Sequence, residues 1–140
     1  SIQNVDKPPM PRKILKGRAR QIVGEGSALV VTNAARFTEK SSIFPGSDFV
    51  IGFDTFIRLL DKKYYPDHVS SSTSPVSDSL ELINQNGCRF VVAGRIDSRR
   101  DFQVLAETRA PARFQKMFIG LSESQFRSDT SSTALRNQLG

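Results

Sequence analysis

A chain of 140 residues accommodates one domain with a buried core, and 38% hydrophobic with 24% charged residues excludes a disordered or fibrous polypeptide. No apolar run approaches the length needed to cross a bilayer, and the single cysteine, Cys88, excludes a disulfide framework or a cysteine-based metal site. The net charge of +6 favours anionic partners without specifying which anion.

The opening Ser1-Ile2-Gln3-Asn4 lacks the basic-then-apolar pattern of a secretory signal, so a cytoplasmic location is expected, and Cys88 at the head of an apolar run reads as a buried small hydrophobe. After the proline-rich Lys7-Pro8-Pro9-Met10-Pro11, residues 12–23 read as a helix stopped by Gly24 and Gly26. Lys13, Lys16 and Arg20 share one of its faces and Leu15, Ala19 and Ile22 the other, the pattern of an amphipathic helix with a charged outer face. Ala28-Leu29-Val30-Val31-Thr32 reads as a buried strand, and residues 36–43 as a short amphipathic segment before a turn at Pro45-Gly46. Asp48-Phe49-Val50-Ile51-Gly52 is a second strand. Asp54 then reads as the cap of a helix whose apolar side is Phe56, Ile57, Leu59 and Leu60.

Residues 66–77, rich in serine with two prolines, read as a loop, and a helix over 78–86 ends at Gly87. Arg89-Phe90-Val91-Val92-Ala93 is a third strand. A helix around 111–118, a short run at Phe118-Ile119-Gly120-Leu121 and a terminal helix complete the chain, with no internal repeat. Strands apolar on both faces, alternating with helices, predict a single α/β domain over 1–140: a parallel sheet flanked by helices on both faces.

Ligands of such sheets bind outside the carboxyl ends of the strands. Thr32-Asn33, Gly52-Phe53-Asp54 and Gly94-Arg95 are expected there. Gly52 admits close approach of a ligand to the backbone, and Asp54 offers acceptors for ribose hydroxyls or, equally, a plain helix cap. The terminal segment Thr130-Ser131-Ser132-Thr133-Ala134-Leu135-Arg136 reads as a helix start where unpaired N–H groups, hydroxyls and the Arg136 guanidinium converge on an anion. An ordinary Ser/Thr cap beside a surface arginine is the alternative.

Gly52-Phe53-Asp54 behind an apolar strand, followed far downstream by Ser131-Ser132-Thr133-Ala134-Leu135-Arg136, resembles the nucleotidylyltransferases related to nicotinamide mononucleotide adenylyltransferase and the wider cytidylyltransferase-like superfamily. Ser1 to Pro9, Phe44-Pro45-Gly46, the run Phe49 to Thr55 and Lys63-Tyr64-Tyr65 are closer still to a little-characterised subgroup. The resemblance covers nearly the whole chain and implies a modified Rossmann fold. Members of the family also carry a His-x-Gly-His turn after their first strand. This chain has one histidine, His68, in Tyr64-Tyr65-Pro66-Asp67-His68, and Thr130 stands where the family has an aliphatic residue. The expectation is a domain incomplete at its N-terminus, whose open sheet edge is met by a further segment or by a homo-oligomer.

The resemblance implies transfer of a nucleotidyl group from a nucleoside triphosphate to a phosphorylated small-molecule acceptor, with release of pyrophosphate. It assigns Ser131, Ser132, Thr133 and Arg136 to the phosphates, and Gly52 and Asp54 to the ribose. Mg²⁺ is expected with the triphosphate. Lys7 and Arg95 are further candidates for anion contact, with surface charge as the alternative. A non-catalytic nucleotide-binding or regulatory module is the first alternative function. A basic nucleic-acid-binding domain is the second, although aromatics do not interleave with the basic residues. No membrane partner is expected.

Overall fold

The computed structural model describes residues 1–3, 5, 8–65, 74–96, 102–103 and 110–121. The chain divides into two compact units, Ser1–Pro45 and Gly46–Gly140.

In the first unit, Pro11 leads into helix α1 (Arg12–Gly24), where its fixed φ suits the helix entry. Leu15, Ala19 and Ile22 are partly buried along one side while Lys13, Lys16 and Arg20 are exposed, as the sequence pattern predicts. Gly26, with φ 78°, turns the chain beyond the helix end. The Ala28–Thr32 run is not a strand, and Val30 and Val31 are exposed. Its β-branched residues favour an extended backbone, but a strand exists only where a neighbour pairs with it. Here Thr32 C=O accepts from Ile2 N–H at 2.9 Å and from Ser1 Oγ at 3.2 Å, which is a local tie and not a ladder. Helix α2 (Phe37–Ile43) follows, its start held by Arg36 N–H donating to Glu39 Oε2 at 2.8 Å.

The second unit is built on strands β1 (Asp48–Gly52), β2 (Arg89–Ala93) and β5 (Phe118–Leu121), which form a parallel sheet in the order β1-β2-β5. With its helices this is a small α/β, Rossmann-like arrangement. Adjacent parallel strands need crossover connections. Helices α3 (Phe53–Leu59) and α4 (Pro75–Gln85) supply the first, and a 3-10 helix over Ala112–Met117 precedes β5. Two further short strands, β3 (Arg95–Ile96) and β4 (Phe102–Gln103), pair antiparallel. The predicted strands 48–52 and 89–93 are thus neighbours and parallel, and the third strand of the sheet is 118–121 in place of 28–32.

Helix α4 starts at Pro75, inside the segment whose serines and prolines suggest a loop, because proline is accommodated at the first helical position. Its Val76, Leu80 and Ile83, spaced for one helical face, are buried. At its far end Gly87 takes φ 68°, a left-handed conformation that favours glycine. There Gly46 N–H donates to Asn86 C=O at 2.8 Å and Arg89 N–H to Ser47 C=O at 3.1 Å, which sets the start of the β1–β2 ladder.

Alternation along the strands sends Ile51, Phe90, Val92 and Phe118 into the core, where they join Phe56, Leu59, Phe114 and Met117. The rings form a continuous series. Phe90 stacks on Phe118 at 5.4 Å, Phe118 meets Phe56 edge-on at 5.1 Å, and Phe49 lies 5.9 Å from Phe90. Cys88, 1% exposed, is the buried small hydrophobe that its position suggests. Val50, Val91 and Ile119 make one row across the other face, where Val50 is 73% exposed.

Candidate functional site

Register places Gly52 beside Ala93 and Ala93 beside Leu121, so the three parallel strands end in one line. Backbone leaving that line turns into α3 after β1 and into Gly94 and β3 after β2. Phe56, 2% exposed, anchors α3 over the sheet through Phe118, and this fixes the helix start at the end of β1. The Tyr65 hydroxyl donates to Leu59 C=O at 2.8 Å and so engages a carbonyl at the other end of α3.

The residue that caps α3 is Gly52, with φ −78° and ψ 160°, and Asp54 lies one step inside the helix in its first turn. Asp54 is therefore not the cap. The chain stays extended through Gly52 because it is still the last residue of β1, so the helix boundary falls earlier than the aspartate. A carboxylate in the first turn is still favoured by the helix dipole. Asp54 is exposed.

Gly52 has two properties that together matter for a site. Its backbone is one that any residue adopts, and among the described residues a Cβ added there would meet no atom within 4 Å beyond its own chain neighbours. Neither chain geometry nor packing demands glycine at this position. The missing side chain leaves open space beside the strand end, as it does on helix α1 at Gly17 and Gly24.

The backbone of Arg95 directly follows Gly94 at the end of β2, which puts it on the same edge of the sheet as Gly52. Lys7, His68, Thr130, Ser131, Ser132, Thr133 and Arg136 lie outside the described residues. Among the described residues no group of three or more His, Cys, Asp or Glu side chains is placed to hold a metal ion. No helix among them is long and apolar enough to cross a membrane.

Sequence reasoning missed a cavity of about 500 Å³ lined by Ile57, Leu60, Asp61, Lys62, Ser74, Val76 and Pro111. It forms where the end of α3, the start of α4 and the entry to the 3-10 helix meet, and nothing in local sequence announces that meeting. Its Asp61 is committed elsewhere, accepting from Lys63 N–H at 3.1 Å and pairing with Lys63 Nζ at 3.1 Å. The Lys63 N–H bond, followed by the side-chain bond, holds the Asp61 carboxyl below its ordinary range. The same side-chain bond raises Lys63.

Comparison of the chain with protein-family models, with curated proteins and with solved structures found no match.

Proposed function

We propose that this chain is the nucleotide-binding part of a cytoplasmic nucleotidylyltransferase, which transfers a nucleotidyl group from a nucleoside triphosphate to a phosphorylated small-molecule acceptor. The observation that carries the reading is the carboxyl edge of the parallel sheet. There Gly52 leaves open space beside the backbone and Asp54 stands exposed in the next turn. The likeness of Gly52-Phe53-Asp54 and Ser131-Ser132-Thr133-Ala134-Leu135-Arg136 to the nucleotidylyltransferase motifs supports the same reading.

In this reading an acceptor phosphate oxygen attacks the α-phosphorus of the triphosphate, the α–β bridge breaks and pyrophosphate leaves. Such a transfer asks chiefly for alignment and charge stabilisation. Gly52 lets the nucleotide reach the strand end, Asp54 accepts hydrogen bonds from ribose hydroxyls, and the hydroxyls of Ser131, Ser132 and Thr133 with Arg136 hold the outer phosphates. Mg²⁺ travels on the phosphate oxygens of the substrate.

A nucleotide-binding module without transfer is the second reading, which absence of a His-x-Gly-His turn from the complete protein would favour. Calorimetric titration with ATP and with CTP in the presence of Mg²⁺ tests binding, and an assay for pyrophosphate release across a panel of phosphorylated acceptors separates transfer from binding alone. Binding with pyrophosphate release fits the first reading. Binding is expected on both readings and pyrophosphate release on the first alone, and absence of binding to either nucleotide contradicts both.

A further inference from the structure

The ladder phase fixes which backbone groups of β1 face β2. Arg89 N–H bonds Ser47 C=O, and the register runs from Asp48 opposite Arg89 to Gly52 opposite Ala93. Successive residues of a strand turn their backbone groups to alternate sides. Ser47, Phe49 and Ile51 therefore address β2, while the backbone groups of Asp48 and Val50 and the N–H of Gly52 turn to the outer side. Among the described residues no strand lies there. Val50 at the middle of this edge is 73% exposed.

We propose that this edge is an interaction surface for a second copy of the same chain, with the two β1 strands antiparallel about a two-fold axis at Val50. The parity of the edge suits that partner. Centring on Val50 sets it opposite its own copy and sets Asp48 opposite the partner's Gly52, so residues with outward backbone groups meet each other. Val50 N–H donates to the partner's Val50 C=O, and Gly52 N–H to the partner's Asp48 C=O, each bond occurring twice by symmetry. As the cap of α3, Gly52 directs its own C=O into the helix, and the pairing leaves it there.

Side chains and charges agree with the backbone. Phe49 falls opposite the partner's Ile51 on the core side of both sheets, an aromatic–β-branched pair of the kind that stabilises strand pairing. The Asp48 carboxylate is neutralised within its own chain by Arg89, which donates at 2.8 and 2.7 Å. The two Asp48 residues lie about 14 Å apart along the strands, beyond a Debye length at physiological salt. A single strand pair covers less than the ~800 Å² per partner of a standard stable interface, so the dimer is reversible and concentration-dependent. None of this rests on the nucleotide reading.

Sedimentation analysis of the whole chain across the micromolar range tests the proposal, with Val50→Glu and Val50→Lys alongside the wild type. The exposed position lets both variants fold, while like charges directly opposite each other oppose pairing. The expected result is a reversible wild-type dimer, two monomeric variants, and association restored in an equimolar mixture of the variants. In the wild type alone, amide exchange at Val50 and Gly52 should slow as concentration rises. A wild type monomeric at every concentration, variants that dimerise as well as the wild type, a mixture that stays monomeric, or exchange independent of concentration overturns the proposal.

Discussion

Phe56 meets Phe118 edge-on, with ring centroids 5.1 Å apart and planes at 72°, and this contact ties helix α3 to the far strand of the sheet. Both rings are buried, and Phe118 in turn stacks on Phe90 of the central strand. The start of α3, and with it Gly52 and Asp54, is therefore positioned from the core.

Truncating Phe56→Ala should cost about 3–5 kcal/mol, the range for deleting a buried phenylalanine whose site cannot fully collapse. Denaturant unfolding followed by circular dichroism measures it. A loss below about 1 kcal/mol, the level of a typical surface change, would show that the ring series does not hold α3 to the sheet.

Two glycines should respond in opposite ways to alanine. Gly87 has φ 68°, where a Cβ is strained, so Gly87→Ala should destabilise by about 1–2 kcal/mol. The nearest neighbours of that Cβ, Gly46 Cα and N, are at ordinary contact distances of 3.7 and 3.8 Å, so the loss comes from the backbone and not from a clash. At Gly52 the backbone is relaxed and the space open, and Gly52→Ala should change stability by less than about 1 kcal/mol. Thermal unfolding of the two variants compares them directly.

The Arg89 hydrogen bond is the largest influence on the Asp48 carboxyl, and together with the charge of the same guanidinium it outweighs desolvation and holds the carboxyl below its ordinary value. A carboxyl depressed in the folded state contributes stability that is present above the unfolded value near pH 4 and is lost as pH falls through the folded value. Both partners are well exposed, so the effect is small. Unfolding midpoints recorded from pH 6 downward should show the wild type losing more stability than Asp48→Asn below about pH 4. Parallel profiles would mean that the pair contributes nothing.

The strands 48–52 and 89–93 were legible because each is a short, nearly continuous apolar run, even though one face of the sheet leaves Val50 exposed. The same signal misled at 28–32, where the local preference of Leu29, Val30 and Val31 for extended backbone carries no information about a pairing partner. Pro75 shows the converse difficulty, since a proline that reads as loop from composition begins α4. At the site, Gly52 and Asp54 were legible as strand-end residues, but their division of labour was not. Which of them caps α3 depends on how far β1 stays paired with β2, and that is settled at Ala93, far along the chain. The cavity beside Asp61 is likewise assembled from three distant segments.

Calorimetric titration of ATP and CTP with Mg²⁺ into wild type, Gly52→Ala and Arg136→Ala tests whether the carboxyl edge of the sheet receives a nucleotide. The expected result is wild-type binding, a loss of tenfold or more in Gly52→Ala with its fold intact, and a loss of about 1.5–3 kcal/mol in Arg136→Ala, the scale of a charge-assisted hydrogen bond. Equal affinity in all three proteins, or no binding by the wild type, would contradict it.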